Sequence, residues 1–292
     1  MRPGLPGGEL RGRARAGGAR EGAAVSSPFH ALLPRIAAGR LSRWAWVAAT
    51  LLTRAVFALA RVDVRHAERV PPEGPVVLVA NHVNQSDPLL VLARAPRRVR
   101  PLAKRELFEI PLVGWYFWLY GAIPVRRYAA DMGALRAASG YLKRGEAVLV
   151  FPEGTRSRDG RLRPALPGAA TVALLSGAPM LPVAVSGTRG LSPRRLLTGW
   201  LRRRRPRIRI EFGEPLDPRA SQPSASERSA PVGAGVVAEA TDRVMRALAA
   251  LLAEEARGAY AEPRNGAAPV VARSPQPTRE GSESRRDPQN AG

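Results

Sequence analysis

The segment PVVLVANHVNQSDPLLVL, Pro75–Leu92, decides the architecture. Pro75 to Ala80 is apolar without interruption, as expected of a strand buried on both faces of a sheet. Polar residues Asn81–Asp87 follow at once, and a helical pattern opens at Asp87-Pro88. A buried strand, a polar turn and a helix form the repeating unit of an α/β sheet. In such sheets, binding and catalytic groups gather at the carboxyl ends of the strands.

The same alternation extends on both sides. Strands are predicted at Val99–Ala103, Ala122–Val125, Ala147–Phe151, Met180–Ser186 and Ile208–Phe212, with helices over Met132–Arg144, Pro167–Ser176 and Val236–Arg257. The implied fold is a single α/β domain with a central, largely parallel mixed sheet flanked by helices. Its predicted limits are residues 63–258. Residues 1–28 read as a disordered basic tail and 259–292 as a disordered Pro, Ser, Arg and Glu-rich tail. Ser221–Pro231 is a low-complexity linker.

Between them, 29–62 reads as a membrane-associating helical segment. Its apolar part is LSRWAWVAATLLTRAVFALARV, Leu41–Val62. A spanning helix needs about 20 mostly apolar residues. Arg54 lies near the middle, where a charge is costly in hydrocarbon, while Trp44 and Trp46 suit the headgroup level. These features favour an amphipathic helix lying in the interface over one that spans. Packing on the domain's own core is the alternative.

Composition narrows the chemistry. The chain has 292 residues, no cysteine and a formal charge of +22. Disulfides, thiolate nucleophiles and Cys-ligated metals are therefore excluded. Nearly all the positive charge is arginine, since Lys104 and Lys143 are the only lysines. A basic surface attracts polyanions of several kinds, so charge by itself ranks partners weakly. No aromatic-interleaved nucleic-acid motif accompanies it, and no nucleic acid is expected as a partner. The run Arg202–Arg205, with Arg207 and Arg209, fits a solvated rim, a patch for acidic lipid or a dock for an acidic acyl carrier.

Two loops carry candidate chemistry. In the first, His82 lies at a strand end, five residues before Asp87. By itself this spacing fits an ordinary N-cap carboxylate and a surface histidine. Of the three histidines (His30, His66 and His82), however, only His82 sits at a strand end beside a carboxylate. A carboxylate there accepts a hydrogen bond from one imidazole nitrogen and leaves the other to take a proton from a hydroxyl. The second loop is AVLVFPEGTRSRDG, Ala147–Gly160. Gly154 permits close backbone approach, and Arg156 offers a planar fork suited to phosphate. An ordinary charged turn is the plainer alternative.

Together these loops resemble the glycerolipid acyltransferases, whose signatures NHxxxxD and FPEGTRS appear as Asn81–Asp87 and Phe151–Ser157. Two further blocks agree in order: AKRELFEIPLVGWYFWLYGAIPVRR, Ala103–Arg127, and APMLPVAVSGT, Ala178–Thr188. The likeness spans about residues 62–212 and is nearest to the 1-acylglycerol-3-phosphate acyltransferase branch.

The resemblance implies an O-acyltransferase that moves a fatty acyl group from an acyl-CoA or acyl carrier protein thioester to the sn-2 hydroxyl of 1-acylglycerol 3-phosphate. The product is phosphatidic acid, and no cofactor is needed. It implies His82 as base with Asp87 orienting it, and Lys104, Arg127, Glu153, Gly154, Thr155 and Arg156 as substrate-binding residues. The expected setting is the cytoplasmic face of the cell membrane, peripheral or monotopic, with membrane phospholipid and a lysophospholipid acceptor as partners. Many relatives carry Lys where this chain has Leu166, and Arg126 beside Arg127 leaves the phosphate-facing arginine open by one position. A different lysolipid acceptor, a hydrolase using water, and a non-catalytic basic lipid-binding protein are the alternatives.

Overall fold

The computed structural model describes residues 40–126, 131–221, 231–261 and 269–272. Seven strands form one sheet: β1 (Arg61–Arg65), β2 (Val76–Ala80), β3 (Val99–Lys104), β4 (Ile123–Val125), β5 (Ala147–Val150), β6 (Met180–Ser186) and β7 (Arg207–Phe212). Their spatial order is β1-β7-β6-β2-β5-β3-β4. Neighbours are parallel except β6 and β7, which pair with Ser186 opposite Arg209. The sheet is therefore mixed and largely parallel, as the sequence implies.

Among the described residues seven helices accompany it: α1 (Arg40–Phe57), α2 (Asp87–Arg94), α3 (Val113–Leu119), α4 (Met132–Lys143), α5 (Gly168–Ser176), α6 (Pro193–Leu201) and α7 (Ala234–Ala250). Successive strand side chains point to opposite faces, and the central strands show the consequence. Val77, Val79, Val148 and Met180 pack under α4, α5 and α7. Val76, Leu78, Leu149 and Leu181 pack with α1 and α2. Both faces are covered, which is why β2 and β5 are apolar at every position.

The structure differs from the sequence reading at both ends of the domain. Helix α1 stops at Phe57, and Arg61–Arg65 is already a strand, hydrogen-bonded from Arg61 N–H to the Pro206 carbonyl at 2.8 Å. The domain also continues past 258. Tyr260 is buried, its hydroxyl donates to the Val270 carbonyl at 2.8 Å, and Ala272 N–H donates to the Ala165 carbonyl. Residues 1–39 and the rest of the C-terminal tail lie outside the described residues.

Helix α1 has two unlike faces. One face packs inward: Ala49, Thr50, Thr53 and Phe57 are buried, Thr50 bonds the Tyr120 hydroxyl at 3.0 Å, and Thr53 bonds that of Tyr116 at 2.8 Å. The other face exposes Trp44, Leu51, Leu52 and Val56. Arg54 donates from Nε to the Ala93 carbonyl at 2.7 Å, in the last turn of α2. There a cation also meets the negative end of the helix dipole. Among the described residues no helix is long and apolar enough to cross a membrane.

Candidate active site

The site lies at the carboxyl ends of β2 and β5, two adjacent parallel strands. Each runs apolar to its end and then releases a polar loop, so both loops leave on the same side. Asn81 clips the first loop to β6: its amide donates to the Val185 carbonyl at 2.9 Å and accepts from Val185 N–H at 2.7 Å. Sequence reasoning did not single out Asn81. Its place directly after an apolar strand was the available signal, because a buried amide needs partners.

His82 follows, with its side chain almost covered. Nδ1 lies 3.1 Å from Asp87 Oδ2, and the same oxygen accepts the backbone N–H groups of Val83 and Asn84, each at 2.6 Å. Asp87 is fully buried at the start of α2, where the helix dipole favours an anion. One carboxylate oxygen thus fixes both the turn and the ring. The imidazole also stacks at a tilt on Phe151, with centroids 4.5 Å apart.

The loop after β5 is tied to this turn through the backbone. His82 N–H donates to Glu153 Oε1 at 2.9 Å, and Ser157 N–H donates to the His82 carbonyl at 2.7 Å. Arg163 N–H donates to Glu153 Oε2 at 3.2 Å. Both Glu153 oxygens are therefore engaged by the protein. Glu153 thus binds the two loops to each other from a buried position.

Burial pushes the Glu153 carboxyl up to about 7, against the lowering effect of the His82 and Arg163 N–H groups. A folded-state value above the unfolded one adds stability that is complete below about pH 4.5 and is lost as pH rises through about 7. Between pH 5 and pH 8, the wild type should lose on the order of 3 kcal/mol more stability than Glu153→Gln. Denaturant unfolding at the two pH values measures this, and equal losses would refute it.

Gly154 has φ +68, and a Cβ there would meet Leu166 Cδ1 at 2.7 Å. Glycine is needed here for conformation and for space. Leu166 supplies apolar wall, and its N–H holds the Pro152 carbonyl at 2.7 Å.

A cavity of about 350 Å³ opens beside His82, within the ~300–1,000 Å³ range usual for ligand pockets. Its walls are mostly apolar, including Leu102, Leu107, Phe117, Val125, Leu135 and Leu166. Lys104 and Arg126 also line it, with Lys104 Nζ 3.2 Å from Glu106. Gly154 is in the wall. Thr155 and Arg156 continue the loop beyond it, and Arg156 is exposed with no ion pair among the described residues. Arg127 lies outside the described residues, whereas its neighbour Arg126 reaches the cavity. The structure thus brings together His82, Lys104, Arg126 and Gly154 around one cavity, with Asp87 buried behind His82.

A strand-end histidine locked to a carboxylate beside an apolar cavity can serve as a base toward a substrate with an apolar part. Residues 61–186 match the family model described as Acyltransferase. The chain's curated relatives include the chloroplastic 1-acyl-sn-glycerol-3-phosphate acyltransferase BAT2 of Brassica napus, 32% identical over 47% of this chain and 41% of that protein. The 1-acyl-sn-glycerol-3-phosphate acyltransferase alpha of Homo sapiens is 36% identical over 43% of this chain and 46% of that protein. The chain thus spans less than half the length of these relatives. Among solved structures, the 1-acyl-sn-glycerophosphate (LPA) acyltransferase PlsC from Thermotoga maritima is similar. It has a TM-score of 0.55 and 25% identity, covering 76% of this chain and 88% of that one.

Proposed function

We propose that the protein transfers a fatty acyl group from an acyl thioester to the sn-2 hydroxyl of 1-acylglycerol 3-phosphate, giving phosphatidic acid. The observation that carries this reading is the commitment of His82 Nδ1 to Asp87 at the mouth of the apolar cavity. With Nδ1–H donating to Asp87, Nε2 holds the lone pair. It takes the acceptor's hydroxyl proton as the oxygen attacks the thioester carbonyl. The C–O bond forms, the C–S bond breaks, and the imidazolium returns the proton to the departing thiolate. The thioester is already activated, so no metal or organic cofactor enters the scheme. The donor is acyl-CoA or acyl carrier protein.

The apolar cavity suits an acyl chain. Lys104, Arg126 or Arg127, and Arg156 supply the charge that a phosphate monoester requires. Such a group is about doubly charged near neutral pH and accepts a bidentate arginine contact that a capped phosphodiester satisfies less well. Binding at the phosphate also places the neighbouring hydroxyl near His82. The setting we propose is the cytoplasmic face of the cell membrane, peripheral or monotopic, and the exposed apolar stripe of α1 supports contact with a membrane.

Arg156→Ala is expected to raise KM for the phosphate acceptor while sparing the thioester. Arg156→Lys should recover only part of the loss, since Lys lacks the planar fork. Competition between lysophosphatidate and its capped or phosphate-free analogues at equal concentration tests the acceptor. Preferential use of a phosphate-free lysolipid would overturn the phosphate assignment and leave the reaction class standing.

A further inference from the structure

We propose that α6 and the arginine loop after it form a docking surface for an anionic phospholipid bilayer, at the same end of the sheet as His82. Helix α6 buries only Leu196. Leu197, Trp200 and Leu201 are 51%, 44% and 63% exposed. An apolar group of this kind, without packing partners and with arginines around it, has the character of an interfacial helix.

Arg202–Arg205 follow directly and are all exposed. Among the described residues none of them forms an ion pair with a carboxylate. The nearest acid along this sheet edge, Asp63, is already shared between Arg65 and Arg209. The loop is built to a definite shape. Arg202 N–H bonds the Thr198 carbonyl at 3.0 Å, and Arg204 N–H bonds the Gly199 carbonyl at 2.8 Å. Arg203 adopts φ 56, and a Cβ on Gly199 would lie 2.9 Å from the Arg204 carbonyl oxygen. The backbone that carries four consecutive arginines is thereby folded back against the end of α6.

The topology fixes where this surface faces. β6 ends at Ser186 and β7 returns antiparallel from Arg207, so the α6 connection lies at the carboxyl end of β6. β2 is parallel to β6 and releases the His82 loop at the same end. Asn84 Nδ2 ties that loop to the Leu191 carbonyl at 3.0 Å, one residue before the Ser192 cap of α6. The chain leaving α1 reaches the same corner, through the Arg61 to Pro206 bond.

Arginine forks recognise lipid phosphates, and each basic residue near an anionic surface strengthens binding about fivefold. An acidic carrier protein would also meet the arginines, but the adjoining exposed Trp and Leu favour a bilayer, into whose interface they insert. The inference goes beyond acyl transfer, because vesicle binding is read without turnover and either idea can fail while the other stands.

The test uses the full chain and two vesicle types, pure phosphatidylcholine and phosphatidylcholine mixed with phosphatidylglycerol. Replacing Arg202, Arg204 and Arg205 together with Gln should lower partition onto the mixed vesicles by about 100-fold. Binding to pure phosphatidylcholine and turnover of soluble short-chain substrates should stay unchanged. Trp200→Ser with Leu201→Ser should weaken binding to both vesicle types, including the part that persists in high salt, since apolar burial is not screened. If the triple variant keeps the wild-type preference for anionic vesicles, the proposal fails. It also fails if the variant loses only the use of acyl carrier protein thioesters, which would identify the arginines as a protein dock.

Discussion

His82→Ala should fold normally and lose turnover by at least about 10²–10⁴-fold, the usual worth of a positioned general base. The structural ties at this position run through the backbone: His82 N–H to Glu153 and the His82 carbonyl to Ser157 N–H. Alanine keeps both. What is lost is the ring, its contact with Phe151 and one of three donors to Asp87 Oδ2. The backbone donors from Val83 and Asn84 remain on that oxygen, so the buried carboxylate is not stranded. Steady-state turnover with a thermal-unfolding control decides the matter. Activity within tenfold of wild type in a folded variant would remove His82 from the mechanism.

Asp87→Asn should lower kcat by about 10³-fold. An asparagine has two orientations here, and the backbone chooses between them. The Val83 and Asn84 N–H groups both point at Oδ2, so the amide oxygen must take that place. The NH₂ then falls where Oδ1 now sits, an atom with no hydrogen-bond partner. The imidazole still donates from Nδ1 to an oxygen, and its tautomer is preserved. The variant loses the negative charge that stabilises the imidazolium, worth about 4 kcal/mol for a unit pair near 4 Å at a protein-like dielectric of about 20. Because the charge matters only once the ring is protonated, the effect should fall on kcat with KM little changed. A change confined to KM would contradict this assignment.

The central strands and the two site loops were legible in the sequence because burial on both faces leaves an unbroken apolar run that stops abruptly at a polar loop. β6 was read to the residue, and β2 and β5 within one at each end. Three elements were not foreseen. β1 reads RVDVR, an edge strand with charges at alternate positions, and only its pairing with β7 distinguishes it from the end of an apolar helix. α3 is seven residues long, too short to show a helical period in a block of aromatics. α6 exposes more of its large apolar residues than it buries, so its pattern does not point to a core.

Within the site, the His82–Asp87 pair was readable because its partners are five residues apart in one loop. The tie that Glu153 makes was hidden for the opposite reason. The N–H group it accepts from His82 belongs to a residue 71 positions away, and nothing local in FPEGTRS reveals that partner. Asn81 was missed likewise, since Val185 lies 104 positions on.

The pairing of Arg61 with Arg207 also governs the order in which the sheet is assembled. β1 has β7 as its one neighbour in the sheet, and the contacts across that ladder join residues 146 positions apart. Closing so long a loop is slow relative to local contacts. As the chain is synthesised, β2, β3 and β5 emerge and can associate well before residue 207 exists. The catalytic turn therefore rests on strands that meet early, whereas β1, the first strand made, waits for the last one. Until β7 arrives, β1 has no sheet edge to join and stays open to solvent, to chaperones or to a nearby bilayer, whereas the helix before it can already pack on Ala93, Tyr116 and Tyr120.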